Sequence, residues 1–136
     1  MFTRLAHVCI GATDLAASER FYVDQLGMEK AFDFIRAGQR IGFYVKAGET
    51  TFIEVFAESA APNDERPAIK HFCLEVADIE QTITALTARG ITVEPKKMGA
   101  DNNWQAWLTD PSGLRIELMQ YSENSAQFTG KPVILD

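Results

Sequence analysis

Hydrophobic and polar positions follow a period of two along several stretches of the chain and a helical period along two others. Residues 4 to 11 alternate as a strand, because successive strand side chains point to opposite faces. Asp14 is placed to cap a helix carrying Leu15, Tyr22 and Leu26 toward a core, and Gly27 stops it. Residues 29 to 36, 39 to 46 and 50 to 57 then read as strands. A second round begins at residue 71. Asp78 with Gln81 three residues on resembles a capping box, Ile79, Ile83 and Leu86 fall at i, i+4 and i+7, and Gly90 follows Arg89 at the end. Strands are predicted over roughly 92 to 95, 103 to 109 and 114 to 121. Asp110-Pro111-Ser112-Gly113 has the chemistry of a type I turn, so the last two should form a hairpin.

The two rounds are copies of one unit. His7 to Leu15, His-Val-Cys-Ile-Gly-Ala-Thr-Asp-Leu, matches His71 to Ile79, His-Phe-Cys-Leu-Glu-Val-Ala-Asp-Ile, with His, Cys, Asp and the aliphatic positions at the same offsets. Phe52-Ile53-Glu54-Val55 resembles Arg115-Ile116-Glu117-Leu118, and the separation from His to Glu is 54 − 7 = 47 in one copy and 117 − 71 = 46 in the other. The polar stretch Ala61-Pro62-Asn63-Asp64-Glu65-Arg66-Pro67 is a natural junction. The expected architecture is therefore α+β, with two strand-helix-strand-strand-strand modules at about 3–58 and 68–122 of a single domain, 1–136, and a C-terminal tail, 123–136.

Strand parity sorts the polar residues. Leu114, Ile116 and Leu118 share the face that should cover a helix, which leaves Glu117 and Met119 opposite. The same parity puts Phe52, Glu54 and Phe56 on the open face of the first unit, joined by Tyr44 and Gly42, and places His7 with Cys9 and His71 with Cys73.

Bulk properties narrow the setting. At 136 residues one compact body is expected. A net charge of -6 without a Lys/Arg stripe argues against nucleic acid as a partner. The start Met-Phe-Thr-Arg lacks the features of a signal peptide, and no apolar run is long enough for a membrane span, so a cytoplasmic location is expected. Cys9 and Cys73 should be free thiols that pack or support the site, since nothing nearby marks a lowered thiol pKa.

Chemistry concentrates at the repeated positions. The chain's two histidines, His7 and His71, are equivalent, and so are Glu54 and Glu117. Two imidazole nitrogens and two carboxylate oxygens suit one divalent ion, whether nickel, zinc, cobalt, iron or manganese, with room left for water or substrate. The plainer alternative is that the histidines are satisfied strand residues and the glutamates pair with Arg115 or Lys46. Coincidence across the repeat favours the metal, because a cation satisfies together four groups that are costly to bury alone.

These residues resemble the vicinal oxygen chelate superfamily, which includes glyoxalase I, methylmalonyl-CoA epimerase, extradiol dioxygenases and bleomycin-resistance proteins. The resemblance runs from Leu5 to Tyr121. It rests on Leu5-Ala6-His7, Phe21-Tyr22 through Leu26-Gly27, Ile53-Glu54, His71, and Asp110-Pro111-Ser112-Gly113 followed by Ile116-Glu117-Leu118. It implies two βαβββ modules forming a cup-shaped mixed sheet around one metal, with ligands at His7, Glu54, His71 and Glu117. That ligand set looks most like glyoxalase I, the lactoylglutathione lyase. By that likeness the activity would be a lyase or isomerase passing through a metal-bound enediolate. Glu117 would move the proton, and Glu54 would be the second carboxylate able to do so. The family also implies a homodimer, with each site built within one chain or across two.

The substrate side is less regular. Gly11 and Glu58 stand where glutathione-using members carry Arg and Asn, while Lys96 or Lys97 only loosely matches their basic residue. Those departures argue against glutathione and for a small hydroxy-carbonyl compound. Tyr44, Phe52, Phe56, Gln105, Trp107 and Met119 are the expected pocket wall, and Gly99, Asn102 and Asn103 suggest a mobile loop at its mouth. Two other classes compete: an iron-dependent, ring-cleaving or other dioxygenase, and a metal-free small-molecule binding or resistance protein. The full ligand set disfavours the last.

Overall fold

The computed structural model describes residues 5–58, 71–130 and 133. The described residues of 1–68, together with Asp110–Leu114, form one compact unit, and those of 69–109 and 115–136 form the other. The junction stretch 61–67 lies outside the described residues.

The first unit runs β1 (His7–Ala12), helix α1 (Leu15–Glu19) continuing as a wide π-helical stretch (Arg20–Gln25), β2 (Lys30–Arg36), β3 (Gln39–Lys46) and β4 (Phe52–Ala57). The second runs β5 (His71–Glu75), α2 (Ile79–Ala88), β6 (Lys97–Met98), β7 (Trp104–Thr109) and β8 (Arg115–Gln120), followed by a short α3 (Ala126–Thr129). Each unit is a four-stranded mixed sheet, ordered β1-β4-β3-β2 and β5-β8-β7-β6. In each the first strand pairs parallel to the last, and the other neighbours pair antiparallel. This is the expected βαβββ pattern, made twice.

Both helices begin as the sequence predicts. The Asp14 carboxylate accepts from the Ala17 backbone N–H and the Asp78 carboxylate from that of Gln81, each at 2.9 Å. The Gln81 amide donates to the Asp78 carboxylate at 3.1 Å. Both helices end on a left-handed glycine, Gly27 at φ 75 and Gly90 at φ 84, a conformation that costs glycine no steric clash. They differ between those points. The Leu26 N–H donates to the Phe21 carbonyl at 2.8 Å, five residues back, the signature of a π turn.

One face of each sheet is covered by its helix. Phe43, Val45, Ile53 and Val55 are buried with Phe21 and Tyr22 in the first unit, and Ala106, Leu108, Ile116 and Leu118 with Ile79 and Leu86 in the second. Burial of such side chains is worth about 1.5–3 kcal/mol each, which fixes strand register and leaves the alternate residues on the open face. In the first unit the Tyr22 hydroxyl donates to the Asp110 carboxylate at 3.0 Å, and the Ser112 and Leu114 backbone N–H groups donate to its other oxygen at 2.9 and 2.8 Å. Burial pushes the Asp110 carboxyl up, against the pull of these donors. The turn thus joins β7 to β8 as a hairpin, as its sequence foretold.

Two expectations are corrected. No strand forms over 92–95; edge pairing falls instead on Lys97 and Met98. The Glu94 N–H still reaches the Trp107 carbonyl at 2.8 Å, but Pro95 has no N–H with which to continue the ladder. Asn103 is not at the mouth of a loop: it is fully buried, and its amide donates to Asp101 at 2.8 Å and to Gln127 at 2.7 Å.

Candidate functional site

Strand pairing brings each histidine beside the glutamate of its own unit. In the first, β1 and β4 run parallel with His7 opposite Phe52 and Cys9 opposite Glu54, and the His7 Nε2 lies 3.9 Å from the Glu54 Oε2. In the second, His71 is opposite Arg115 and Cys73 opposite Glu117, and the His71 Nε2 lies 3.2 Å from the Glu117 Oε2. The duplicated sequence has therefore built the same imidazole–carboxylate pair twice, using the same nitrogen and the same oxygen.

The alternative partners are engaged elsewhere. Lys46 pairs with Glu29 at 2.7 Å, and Arg115 pairs with Glu94 and lies over the Trp107 ring at 5.0 Å. Each glutamate thus faces its own histidine. Among the described residues no three or more His, Cys, Asp and Glu side chains form a group that could hold an ion; what each unit forms is one His–Glu pair. An imidazole nitrogen and a carboxylate oxygen directed at one another are a donor set that fits a borderline or hard divalent cation.

The two carboxylates differ in setting. Glu117 has 7% of its side chain exposed and Glu54 has 19%. Burial holds the Glu117 carboxyl above its ordinary range against the pull of His71, and the nearby charge of Asp101 adds to the rise. The cysteines are protonated thiols. Partial burial, with a hydrogen bond to Glu54 next in weight, pushes Cys9 up to about 11, and partial burial followed by the charges of Glu117, Asp101 and Glu75 pushes Cys73 up to about 12. A thiol so raised is not a nucleophile, and that of Cys9 donates to the Glu54 carboxylate.

Around the first pair lies a wall of rings. Tyr44 is opposite Glu54 across β3 and β4; it stacks on Phe52 at 5.1 Å and meets the edge of His7 at 5.8 Å. Phe56 shares this face and packs on Phe34 at 4.6 Å. Around the second pair Trp107 is opposite Glu117 and its ring stands 4.8 Å from His71, edge on. Gln105 is opposite Met119, and Met119 is 8% exposed, which makes it a floor for the face. Lys96 is directed at Glu80 and at the Trp104 ring, 4.4 Å away, and Lys97 lies in the edge strand β6. Over Gly11 the Glu58 carboxyl carbon sits only 2.6 Å from where a Cβ would be.

Three neighbours escaped the sequence reasoning. Phe32 and Phe34 reach the ring wall from β2, whose pairing with β3 shifts register twice; the bulges hide their partners from simple parity. Asp101 lies in a loop and carries no periodic signal, yet it fixes Asn103 and Gln127 by hydrogen bonds and its charge reaches Glu117.

Comparison with known proteins agrees with the fold. Residues 4–118 match the family model of the Glyoxalase/Bleomycin resistance protein/Dioxygenase superfamily. The chain is 31% identical over 125 residues to a protein of Synechocystis sp. (strain ATCC 27184 / PCC 6803 / Kazusa) named a probable lactoylglutathione lyase, covering 87% of this chain and 95% of that one. A protein of the same name from Vibrio parahaemolyticus serotype O3:K6 (strain RIMD 2210633) is 26% identical, covering 93% of this chain and 97% of that one. The crystal structure of the glyoxalase family protein from Enterococcus faecalis is similar with a TM-score of 0.75 and 28% identity, covering 87% of this chain and 98% of that one.

Proposed function

Because the chain belongs to the Glyoxalase/Bleomycin resistance protein/Dioxygenase superfamily, we propose that it is a metal-dependent, glyoxalase-like lyase or isomerase acting on a small hydroxy-carbonyl substrate. The observation that carries this is the His–Glu pair made once in each unit, Nε2 toward Oε2, with no Lys or Arg among the described residues paired to either glutamate. His7, Glu54, His71 and Glu117 would together hold one divalent ion, two donors from each unit, in one chain or between the chains of a homodimer. When bound, the ion supplies a positive charge that stabilises negative charge developing on the substrate's oxygens.

The chain's own groups do the rest. Glu117, with its carboxyl raised by burial, is matched to removing a proton from the carbon beside a carbonyl. It returns that proton to the former carbonyl carbon while the hydroxyl proton of the first carbon passes to the former carbonyl oxygen, so hydroxyl and carbonyl exchange places and the carboxylate is regenerated. Cys9 donates a hydrogen bond to Glu54 and orients it as the second carboxylate. Tyr44, Phe52 and Phe56 on the open face of the first unit, and Gln105, Trp107 and Met119 on that of the second, are the residues that would contact substrate. Glu58, set over Gly11, places a negative charge where an anionic substrate arm would be repelled, which disfavours glutathione.

Metal analysis of the purified chain, joined to a turnover screen over free hydroxy-carbonyl compounds and glutathione hemithioacetals, tests this. The expected result is about one divalent ion per site, turnover of a free compound, and a loss of about 10²–10⁴-fold in kcat for Glu117→Gln. Oxygen uptake with bound iron would instead identify a dioxygenase. Turnover of the hemithioacetal alone would overturn the exclusion of glutathione.

A further inference from the structure

Aligned on their glutamates, the two units invite a position-by-position comparison of open faces. Tyr44 corresponds to Trp107, both opposite the glutamate. Beyond that the faces part: Phe52, Phe56 and Gly42 of the first unit stand where the second has Arg115, Met119 and Gln105. The donor pair is duplicated, but its surroundings are not.

In the first unit the rings form one connected surface. Phe56 meets Phe34 at 4.6 Å, Phe34 meets Phe32 at 5.3 Å, Phe32 stacks on Tyr44 at 4.8 Å, and Tyr44 stacks on Phe52 at 5.1 Å. Gly42 is what closes the ladder. It lies between Phe34 on β2 and Phe56 on β4, and a Cβ there would stand 2.8 Å from the Phe56 ring and 2.4 Å from the Val55 carbonyl oxygen. Without it the two rings meet across the strand. At one end the ladder touches His7 through Tyr44; at the other, Phe32 remains 48% exposed. Such a surface costs solubility unless something flat and apolar uses it.

We propose that the substrate carries a flat apolar group, an aryl ring or its equivalent, next to its hydroxy-carbonyl head, and that the ladder of Phe32, Phe34, Tyr44, Phe52 and Phe56 binds that group. The inference deepens the proposed function and rests on it for the head group. Continuity decides the occupant: a molecule whose oxygens lie at His7 and Glu54 has Tyr44 and Phe52 as its next neighbours, and the ladder extends from there for a tail to follow. The other unit offers its pair an Arg, a Met and a Gln at the matching places, so the tail's direction is set by the first unit alone.

Two compounds with the same head separate this from the general activity: 2-hydroxyacetophenone and hydroxyacetone, which differ as phenyl and methyl. Binding to the full chain is read by calorimetry and by NMR shifts, as purified and again after chelation, so the readout does not depend on turnover. The phenyl compound is expected to bind at least about tenfold tighter, with shifts on β2, β3 and β4. Phe32→Ala and Phe34→Leu should each cut that preference to about threefold or less, while Phe128→Ala, which removes an exposed ring from α3, leaves it unchanged. Equal affinities for the two compounds, or a preference that survives Phe32→Ala and Phe34→Leu together, overturns the proposal. Equal affinities together with a loss of dimer in Phe32→Ala on sedimentation would assign the ladder to a second copy of the chain, which also overturns it. A phenyl preference without metal or turnover would sink the enzyme reading and leave this inference standing; turnover without the preference would do the reverse.

Discussion

Ser18 lies in α1, fully buried, and its Oγ has no hydrogen-bond partner among the described residues. A hydroxyl taken from water and left unpaired costs about 1–3 kcal/mol, and Ala is the better helix former at such a position. Ser18→Ala should therefore raise the stability of the chain by about 1 kcal/mol, read as a higher urea midpoint with an unchanged slope. A lower midpoint would show that the hydroxyl is satisfied in solution. The same reasoning separates the glutamates. Residue type and repeat position make Glu54 and Glu117 interchangeable in the sequence; packing tells them apart, leaving 19% of the Glu54 side chain and 7% of the Glu117 side chain exposed and raising the Glu117 carboxyl. The two His–Glu pairs were legible because they are duplicated. Their inequality was not, since burial is a property of neighbours far along the chain.

At the level of elements, α1 is fastened to the edge of its sheet by charge. Glu19 pairs with Lys30 of β2 at 2.8 Å and with Arg40 of β3, and Asp33 meets the same two cations at 3.2 and 3.4 Å. The hydrogen bond from Lys30 is the largest influence holding the Glu19 carboxyl below its ordinary 4.5, and the bonds that Lys30 and Arg40 donate to Glu19 hold those two bases above their ordinary values. A depressed acid contributes stability that is present above 4.5 and lost as pH falls through its lower folded value. Lys30, raised in turn, contributes below 10.5 and loses it as pH climbs past its folded value, and Arg40, raised as well, keeps its charge throughout that range. Glu19→Gln should thus cost about 1 kcal/mol at neutral pH. The gap between variant and parent should close in acid well below 4.5, as followed by urea melts across pH; a gap independent of pH would show that packing, not charge, fixes the helix. Most elements here were readable from capping residues, glycines and alternation. The π turn was readable too, but only by comparison: from capping Asp to closing Gly the spacing is 27 − 14 = 13 in the first unit and 90 − 78 = 12 in the second. That extra residue accounts for the whole difference in His-to-Glu spacing, because 54 − 27 and 117 − 90 are both 27. An added residue inside a capped helix widens one turn, which shifts neither the strands nor the donors. The register shifts of β2 left no such trace, and with them Phe32 and Phe34 went unread.

For the molecule as a whole, duplication leaves a question of stoichiometry that a single variant can answer. If each unit's pair bound its own ion, two donors apiece, removal of one histidine would halve the metal content and leave the other half untouched. If His7, Glu54, His71 and Glu117 serve one ion, as proposed, each histidine supplies a quarter of the same ligand set, and losing either weakens the whole site. Two-donor sites are weak, because the free energy of holding an ion comes from the number of pre-placed ligands and the protons they have already given up. His7→Ala and His71→Ala should then each bring bound metal after dialysis close to zero, by similar amounts, and the double variant should lose nothing further. Such non-additivity is the mark of residues acting on one partner. Measured by mass spectrometry of the metal alongside circular dichroism to confirm folding, independent halving by the two variants would show two separate pairs and end the single-ion mechanism.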